Sequence, residues 1–249
     1  HWWRGRQHGF GWAQEGARRL TPCVVKIGRR WQRLRFFLEY ELKITKVETL
    51  RLDEFPNIMW VRIYTDEGLV GLGETFMGAQ AVEAYIHEWA GPKLLGKDPL
   101  AIEARNRELT GYLGWRGFGA ETRGNSAIDI ALWDIFGKAA NMPLHTALGG
   151  KSRDDIRIYN TCAGYRYVRN TVNQSTSNWG LGQSQGPYED LEGFLHRADE
   201  VAESLLSEGI TAMKIWPFDP AAERSDGHYI SNADLDLALE PFRKIRSAV

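Results

Sequence analysis

Two short runs of β-branched and apolar residues end on side chains that could do chemistry. Residues 156–161 lead through Asn160-Thr161-Cys162 into a segment bearing Tyr165, Arg166 and Tyr167. Residues 210–216 carry Lys214 and finish on Trp216. Where strands alternate with helices in a barrel, reactive groups sit at the C-terminal ends of the strands. A lysine at such an end neutralises a developing negative charge. It can also act as a base when burial and neighbouring cations lower its pKa. The plainer reading of Lys214 is a solvated strand terminus, and Trp216 reads either as barrel packing or as a pocket wall. Cys162 has no base partner visible in the sequence, so it reads as an inert buried thiol rather than a nucleophile. His87, His145, His196 and His228 lack ligand spacing; none is expected to be catalytic, and no metal ligand is assigned.

The elements that must position these groups follow from hydrophobic period. Residues 43–51 alternate apolar and polar with β-branched neighbours, as a half-buried strand does. Residues 58–64 predict a second strand, and the turn Thr65-Asp66-Glu67-Gly68 leads into a third at 69–74, giving an antiparallel meander. From Gln80 the period becomes 3.6: Val82, Tyr85, Ile86 and Trp89 line a helix that Gly91-Pro92 is expected to end. Pro99 is expected to open another. Residues 125–141 predict a third helix with Ile128, Ala131, Leu132, Ile135 and Phe136 on its apolar side. Strands followed by helices indicate an α+β domain over 42–150. After Gly149-Gly150 the order changes to strand (156–161), polar segment to about Pro187, helix (188–208), strand (210–216) and helix (235–245). Gly209 is the expected helix C-cap. That alternation is the pattern of parallel βαβ packing and starts a second domain over 151–249.

Of the 249 residues, 31 are Lys or Arg and 32 are Asp or Glu, for a formal net charge of −1; 43% are hydrophobic. This composition belongs to globular chains and excludes disordered, collagen-like and coiled-coil ones. No run of eighteen apolar residues is present, so no membrane helix is expected. Two cysteines, Cys23 and Cys162, make no disulfide framework and point to a reducing, cytoplasmic setting. Charge is nevertheless uneven. Residues 1–41 contain eight Arg, Lys26 and only Glu15, Glu39 and Glu41, together with Trp2, Trp3, Trp12 and Trp31. A basic aromatic arm of this kind can bind nucleic acid or an anionic membrane surface, or serve as a targeting peptide. The segment has no serine, and its residues 1–30 show no helical or strand period. The favoured expectation is therefore an unstructured extension outside the folded protein, whose start would fall near Leu42, with no nucleic-acid partner.

Residues 126–138, S-A-I-D-I-A-L-W-D-I-F-G-K, are followed by Pro143-Leu144 and Leu148-Gly149-Gly150. This arrangement resembles the mandelate racemase/muconate lactonizing enzyme family of the enolase superfamily. The family pattern is approximately A-x-S-A-I-D-x-A-L-W-D-I-x-G-K, four residues, then P-[LIV]-x-x-L-L-G-G. Gly124 replaces its first Ala and Ala147 one Leu. The resemblance extends over about residues 43–249. It implies an α+β capping domain (42–150), then the first βα units of an incomplete TIM-type (β/α) barrel (151–249). Within the motif, Asp134 and Lys138 form an i,i+4 pair of the favourable sense, on a helix expected to pack and orient the two domains.

The function implied is removal of the proton α to a carboxylate, with Mg²⁺ stabilising the enediolate. An acid-sugar dehydratase fits the polar 163–187 segment. A racemase, epimerase or cycloisomerase shares the first half-reaction, and a non-catalytic product or a binding module using residues 1–41 is the rival from another class. Lys214 matches the first Lys of the family's Lys-x-Lys, while Trp216 stands in place of the second. Phe55 and Phe76, in loops matching those that close the family's pocket, together with Tyr165 and Trp216, are the expected substrate contacts. The family's Mg²⁺ carboxylates lie on the third to fifth barrel strands. Residues 151–249 are too few for a complete barrel. This chain by itself is therefore expected neither to bind Mg²⁺ nor to turn over substrate, and the complete protein is expected to form a homo-oligomer.

Overall fold

The computed structural model describes residues 42–112, 119–172, 174–183 and 189–249. The basic 1–41 segment, and with it the readings of an arm or extension, lies outside them.

Three strands, β1 (Ile44–Leu50), β2 (Ile58–Thr65) and β3 (Val70–Phe76), form an antiparallel sheet in the order β1-β2-β3. Alternation sorts β2 cleanly: Met59, Val61, Ile63 and Thr65 point to the core, while Trp60, Arg62 and Tyr64 take the other face. There Tyr64 donates to Glu48 at 2.7 Å and Trp60 Nε1 donates to Glu74 at 2.8 Å. The core positions of β3 are Gly71, Gly73 and Thr75. The two glycines leave a groove into which α4 (Ala120–Ala140) sinks until backbones meet. A Cβ on Gly73 would fall 1.8 Å from the Ala127 carbonyl oxygen, and one on Gly71 would fall 2.1 Å from that of Ala131.

The motif helix thus seats on the sheet, and its polar residues finish the sheet's edge. Asp134 Oδ2 accepts from the Leu72 backbone N–H at 2.8 Å, and Lys138 Nζ donates to the Val70 carbonyl at 2.6 Å. The two side chains pair with each other at 2.7 Å, the i,i+4 contact that their spacing predicts. An edge strand's outward backbone groups otherwise invite pairing with another chain.

Beneath the sheet, α1 (Ala79–Tyr85) passes through a widened turn, Ile86–Ala90, into α2 (Gly91–Leu94). Gly91-Pro92 therefore does not end the helix as expected. Pro92 has no N–H to donate, and the widened turn bonds Gly91 N–H to the Ile86 carbonyl, so the chain continues helical past the proline. Val82, Ile86, Ala90 and Leu94 are all buried. The next helix, α3 (Ile102–Thr110), begins three residues after Pro99. Asn141 closes α4 in the left-handed conformation, and the short α5 (Leu144–Ala147) follows.

Past Gly150 the expected strands contract to one parallel bridge, Asn160 to Met213, with Asn160 N–H donating to Ala212 and Lys214 N–H to Asn160. Ile156 and Ile158 are 73% and 61% exposed, so the alternation that predicts a strand gains no burial among the described residues. The intervening helix is two: α6 (Asp190–His196) and α7 (Ala198–Ser207), broken at Arg197. The break brings Val201 back over Gly193, where a Cβ would lie 2.7 Å from its Cγ2. Gly209, at φ 81°, completes a Schellman cap: its own N–H bonds Leu206, and that of Ile210 bonds Leu205. A short α8 (Asp219–Arg224) and the long α9 (Asn232–Ala248) follow, α9 packing on α7. This half has its own core of Cys162, Trp179, Leu191, Phe194, Val201 and Leu205.

Candidate functional site

The sheet's loops and the segment after Asn160 enclose a cleft of about 360 Å³. Phe55 belongs to the β1–β2 turn, held by hydrogen bonds from its N–H to Leu52 and from Ile58 N–H to its carbonyl, each 3.0 Å. Phe76 ends β3 opposite Ile58 in register. The Met77 N–H then donates to the Asn57 carbonyl at 2.7 Å, tying the two loops together. Met77 and Gly78 both adopt positive φ to make that turn.

The third wall is the 163–169 segment, which depends on one buried amide. Asn178 Oδ1 accepts from the N–H groups of Asn170 and Thr171 at 3.0 and 3.2 Å, and its Nδ2 donates to the Thr171 carbonyl at 2.7 Å. Its backbone carbonyl accepts from Val168, itself at φ 57°. Tyr165, Tyr167 and Arg169 are thereby turned to the cleft opposite Phe55 and Phe76. Gly164 is backed by the buried carboxylate of Glu189, whose Oε1 would lie 2.0 Å from a Cβ on that glycine.

Three of the five expected site residues, Phe55, Phe76 and Tyr165, therefore share one cavity. The other two do not line it. Trp216 is half-buried among aromatic rings, with centroids 5.8 Å from Tyr167, 6.3 Å from Trp179 and 5.6 Å from Phe194. Tyr167 touches both groups and links the cleft to this cluster. Lys214 is exposed, its Nζ lying 5.4 Å from the Trp216 ring and 6.0 Å from that of Tyr159.

Arg169 and Asn57 are cleft residues that sequence reasoning missed. The Arg169 guanidinium lies between the rings of Phe55 at 4.7 Å and Tyr165 at 4.6 Å, and its Nη1 pairs with Glu54 at 2.6 Å. Asn57 is 2% exposed and donates from Nδ2 to the Thr171 carbonyl at 3.4 Å. A faint signal was present: residues 165–169 read Y-R-Y-V-R, aromatic and cationic by turns.

Titration separates the nearby groups. Burial, reinforced by the negative charge of Asp190, pushes the Cys162 thiol up to about 12, which keeps it protonated and unreactive at neutral pH. Burial likewise raises the Tyr167 hydroxyl, helped by Asp219. Among the described residues no three His, Cys, Asp or Glu side chains are placed to hold a metal ion. Asp190, beside the parallel bridge, is instead engaged by Asn160 Nδ2 at 2.8 Å. The described residues therefore do not fit a Mg²⁺ site.

Comparison with known proteins places the geometry in context. Residues 52–149 match the N-terminal domain model of the mandelate racemase/muconate lactonizing enzyme family. The chain is 37% identical over 125 residues to the D-galactonate dehydratase family member RspA of Halomonas elongata, covering 49% of this chain and 31% of that one. It is 42% identical over 127 residues to a D-galactonate dehydratase of Klebsiella pneumoniae, covering 50% and 32%. Among solved structures, an enolase of the mandelate racemase subgroup from Agrobacterium tumefaciens shares 53% identity with a TM-score of 0.66, over 83% of this chain and 48% of that one. An enolase protein from Sargasso Sea environmental sequencing shares 44% with a TM-score of 0.67, over 84% and 48%. The chain thus spans about a third of the length of these curated relatives and about half that of the solved structures. No helix among the described residues is long and apolar enough to cross a membrane.

Proposed function

On the match of residues 52–149 to the N-terminal domain of the mandelate racemase/muconate lactonizing enzyme family, we propose that this chain is, over part of its length, a member of that family of the enolase superfamily and that it serves an acid-sugar dehydratase. The reaction removes the proton α to a carboxylate and expels the β-hydroxyl. Enolase-superfamily members in general use Mg²⁺.

The observation that carries the proposal is the convergence of Phe55, Phe76 and Tyr165 on one cleft beside the family's capping sheet. Aromatic walls cover the C–H faces of a hydroxylated chain, and a few polar groups fix its orientation. Residues 42–150 act as the cap and 151–249 as the start of the barrel. Lys214, at the end of the bridge, is assigned to the substrate's carboxylate end by its match to the family lysine, with Trp216 as the wall between it and Tyr167. The described residues supply a binding cleft rather than a metal-holding set of carboxylates. Binding without turnover by this chain alone belongs to the same proposal, as does a cytoplasmic, homo-oligomeric complete protein.

Isothermal titration of the full chain with D-galactonate, D-mannonate and mandelate tests it. Binding of the two sugar acids in preference to the aromatic acid is expected. Failure of both to bind, or a preference for mandelate, overturns it.

A further inference from the structure

We propose that the ligand of this cleft is a sugar diacid: its reacting carboxylate stays at the Lys214 end, and Arg169 binds a second, non-reacting carboxylate at the far end of the carbon chain. The inference rests on the acid-sugar reading above and narrows it from acids with one carboxylate to acids with two.

Two cations bracket one run of aromatic rings. Lys214 Nζ lies 5.4 Å from the Trp216 ring, and that ring lies 5.8 Å from Tyr167. Tyr167 lines the cleft together with Tyr165 and Arg169, and the Arg169 guanidinium lies 4.6 Å from the Tyr165 ring. A hydroxylated chain laid along these rings meets a positive group at each end. Arg169 is the one charged side chain among the described residues that line the cleft. It is only 23% exposed, so a ligand that covers it must replace much of its remaining water. A terminal hydroxymethyl group returns one neutral acceptor, whereas a carboxylate returns two acceptors and the matching charge.

Arg169 has the donors to spare. A guanidinium presents five N–H groups in a planar fork, and its Nε–Nη2 edge fits a carboxylate through two parallel bonds. Glu54 pairs with Nη1, and among the described residues Nε and Nη2 bond to nothing. Glu54 is itself 64% exposed. A pair so open to water is weak and screened by salt, so it leaves most of the cation's pull for a ligand. The Phe55 ring, 4.7 Å away, closes the other side of the guanidinium. Stacking between two rings fixes the fork before a ligand arrives and lowers the ordering cost of binding.

D-Galactonate and galactarate differ at one terminus, a hydroxymethyl group against a carboxylate, and so isolate the second acid group. The test is isothermal titration of the full chain with each, without added metal, for the natural sequence, Arg169→Gln and Glu54→Gln. The natural chain is expected to bind galactarate at least about tenfold more tightly, a gap of about 1.4 kcal/mol. Arg169→Gln should bring the two ligands level by weakening galactarate alone. Glu54→Gln should strengthen galactarate by a few-fold and leave D-galactonate unchanged, a gain that loss of folding cannot produce. A preference for galactarate that survives in Arg169→Gln overturns the assignment. Equal weakening of both ligands in that variant overturns it too, because Arg169 then acts only as a strut between Glu54 and the cleft wall. Should Arg169→Gln not fold, the natural-chain ratio and Glu54→Gln decide the matter. A natural chain that binds D-galactonate as tightly as galactarate overturns the diacid and leaves the acid-sugar reading standing; binding of neither overturns both.

Discussion

Replacing Gly73 with alanine adds a single methyl group to a β-strand, and ordinarily such a change helps. Its φ is not positive, so alanine suits the backbone there. Restricting the unfolded chain then stabilises by about 0.4–1 kcal/mol. Here the sign should invert. The new Cβ would lie 1.8 Å from the Ala127 carbonyl oxygen and 2.9 Å from its carbonyl carbon, whereas a relaxed C···O approach is about 3.3 Å or more. The obstacle is helix backbone rather than a side chain that can rotate aside, so α4 must lift away from β3 by an ångström or more. Overpacking of this kind costs about 1–3 kcal/mol. Lifting the helix also stretches the bonds from Asp134 to Leu72 and from Lys138 to Val70, and hydrogen bonds to charged groups contribute about 1.5–3 kcal/mol. A net loss of about 3–5 kcal/mol is expected, a large share of the 5–15 kcal/mol typical of folded domains. Urea denaturation of the full chain, followed by far-ultraviolet circular dichroism, reads it as a lower midpoint. A Gly73→Ala midpoint equal to or above that of the natural sequence would refute the seating of α4 on the glycine face.

Three further outcomes follow from the geometry. Asp134→Ala leaves the Leu72 N–H without its acceptor and Lys138 without its partner; a loss of about 1–3 kcal/mol is expected in the same assay, and Asp134→Asn, which keeps an acceptor, should recover part of it. Asn178→Leu removes the amide that ties Asn170, Thr171 and the Val168 turn together. It should weaken D-galactonate binding at least about tenfold while hydrogen exchange quickens in residues 165–171. The Cys162 thiol is held up near 12 in the folded protein against an ordinary 9.0. Its contribution is thus complete below pH 9 and lost as pH rises towards 12, because the unfolded thiol ionises first. Relative to Cys162→Ala, the natural chain should lose stability across that window, and in a Cys23→Ser background a thiol-reactive dye should react at pH 8 only on unfolding.

The capping sheet was legible because its signal is local. Alternation in residues 58–64, the Thr65–Gly68 turn and the 3.6 period of residues 125–141 each fix an element without help from distant residues. Observed boundaries moved by only a few residues, with α4 beginning five positions earlier, at Ala120. Pro92 misled because a proline normally stops a helix, and the widened turn that absorbs it has no sequence signature of its own. Residues 156–161 misled differently: their alternation is real, but a strand needs a partner along its length, and among the described residues only Asn160 finds one, while Ile156 and Ile158 lie exposed. In the site, Phe55 and Phe76 were reachable through the family loops and Tyr165 through its place after residues 156–161, expected as a strand. Arg169 was not. Its importance comes from Glu54 and Phe55, more than a hundred residues away, and no spacing rule connects them.

The widened turn at Ile86–Ala90 also sets the phase of everything after it. The buried stripe along this helical stretch is Val82, Ile86, Ala90 and Leu94, a repeat of four residues at every step. An ordinary α-helix advances about 100° per residue. Each step of four would overshoot a full revolution by about 40°, and three steps would carry Leu94 a third of the way round, off the sheet. A looser turn in the middle slows the winding and brings the stripe back into line. The segment therefore carries one residue more than a regular helix of the same phase needs: with one residue deleted between Ile86 and Ala90, Leu94 would stand eleven residues after Val82, within about 20° of the same face.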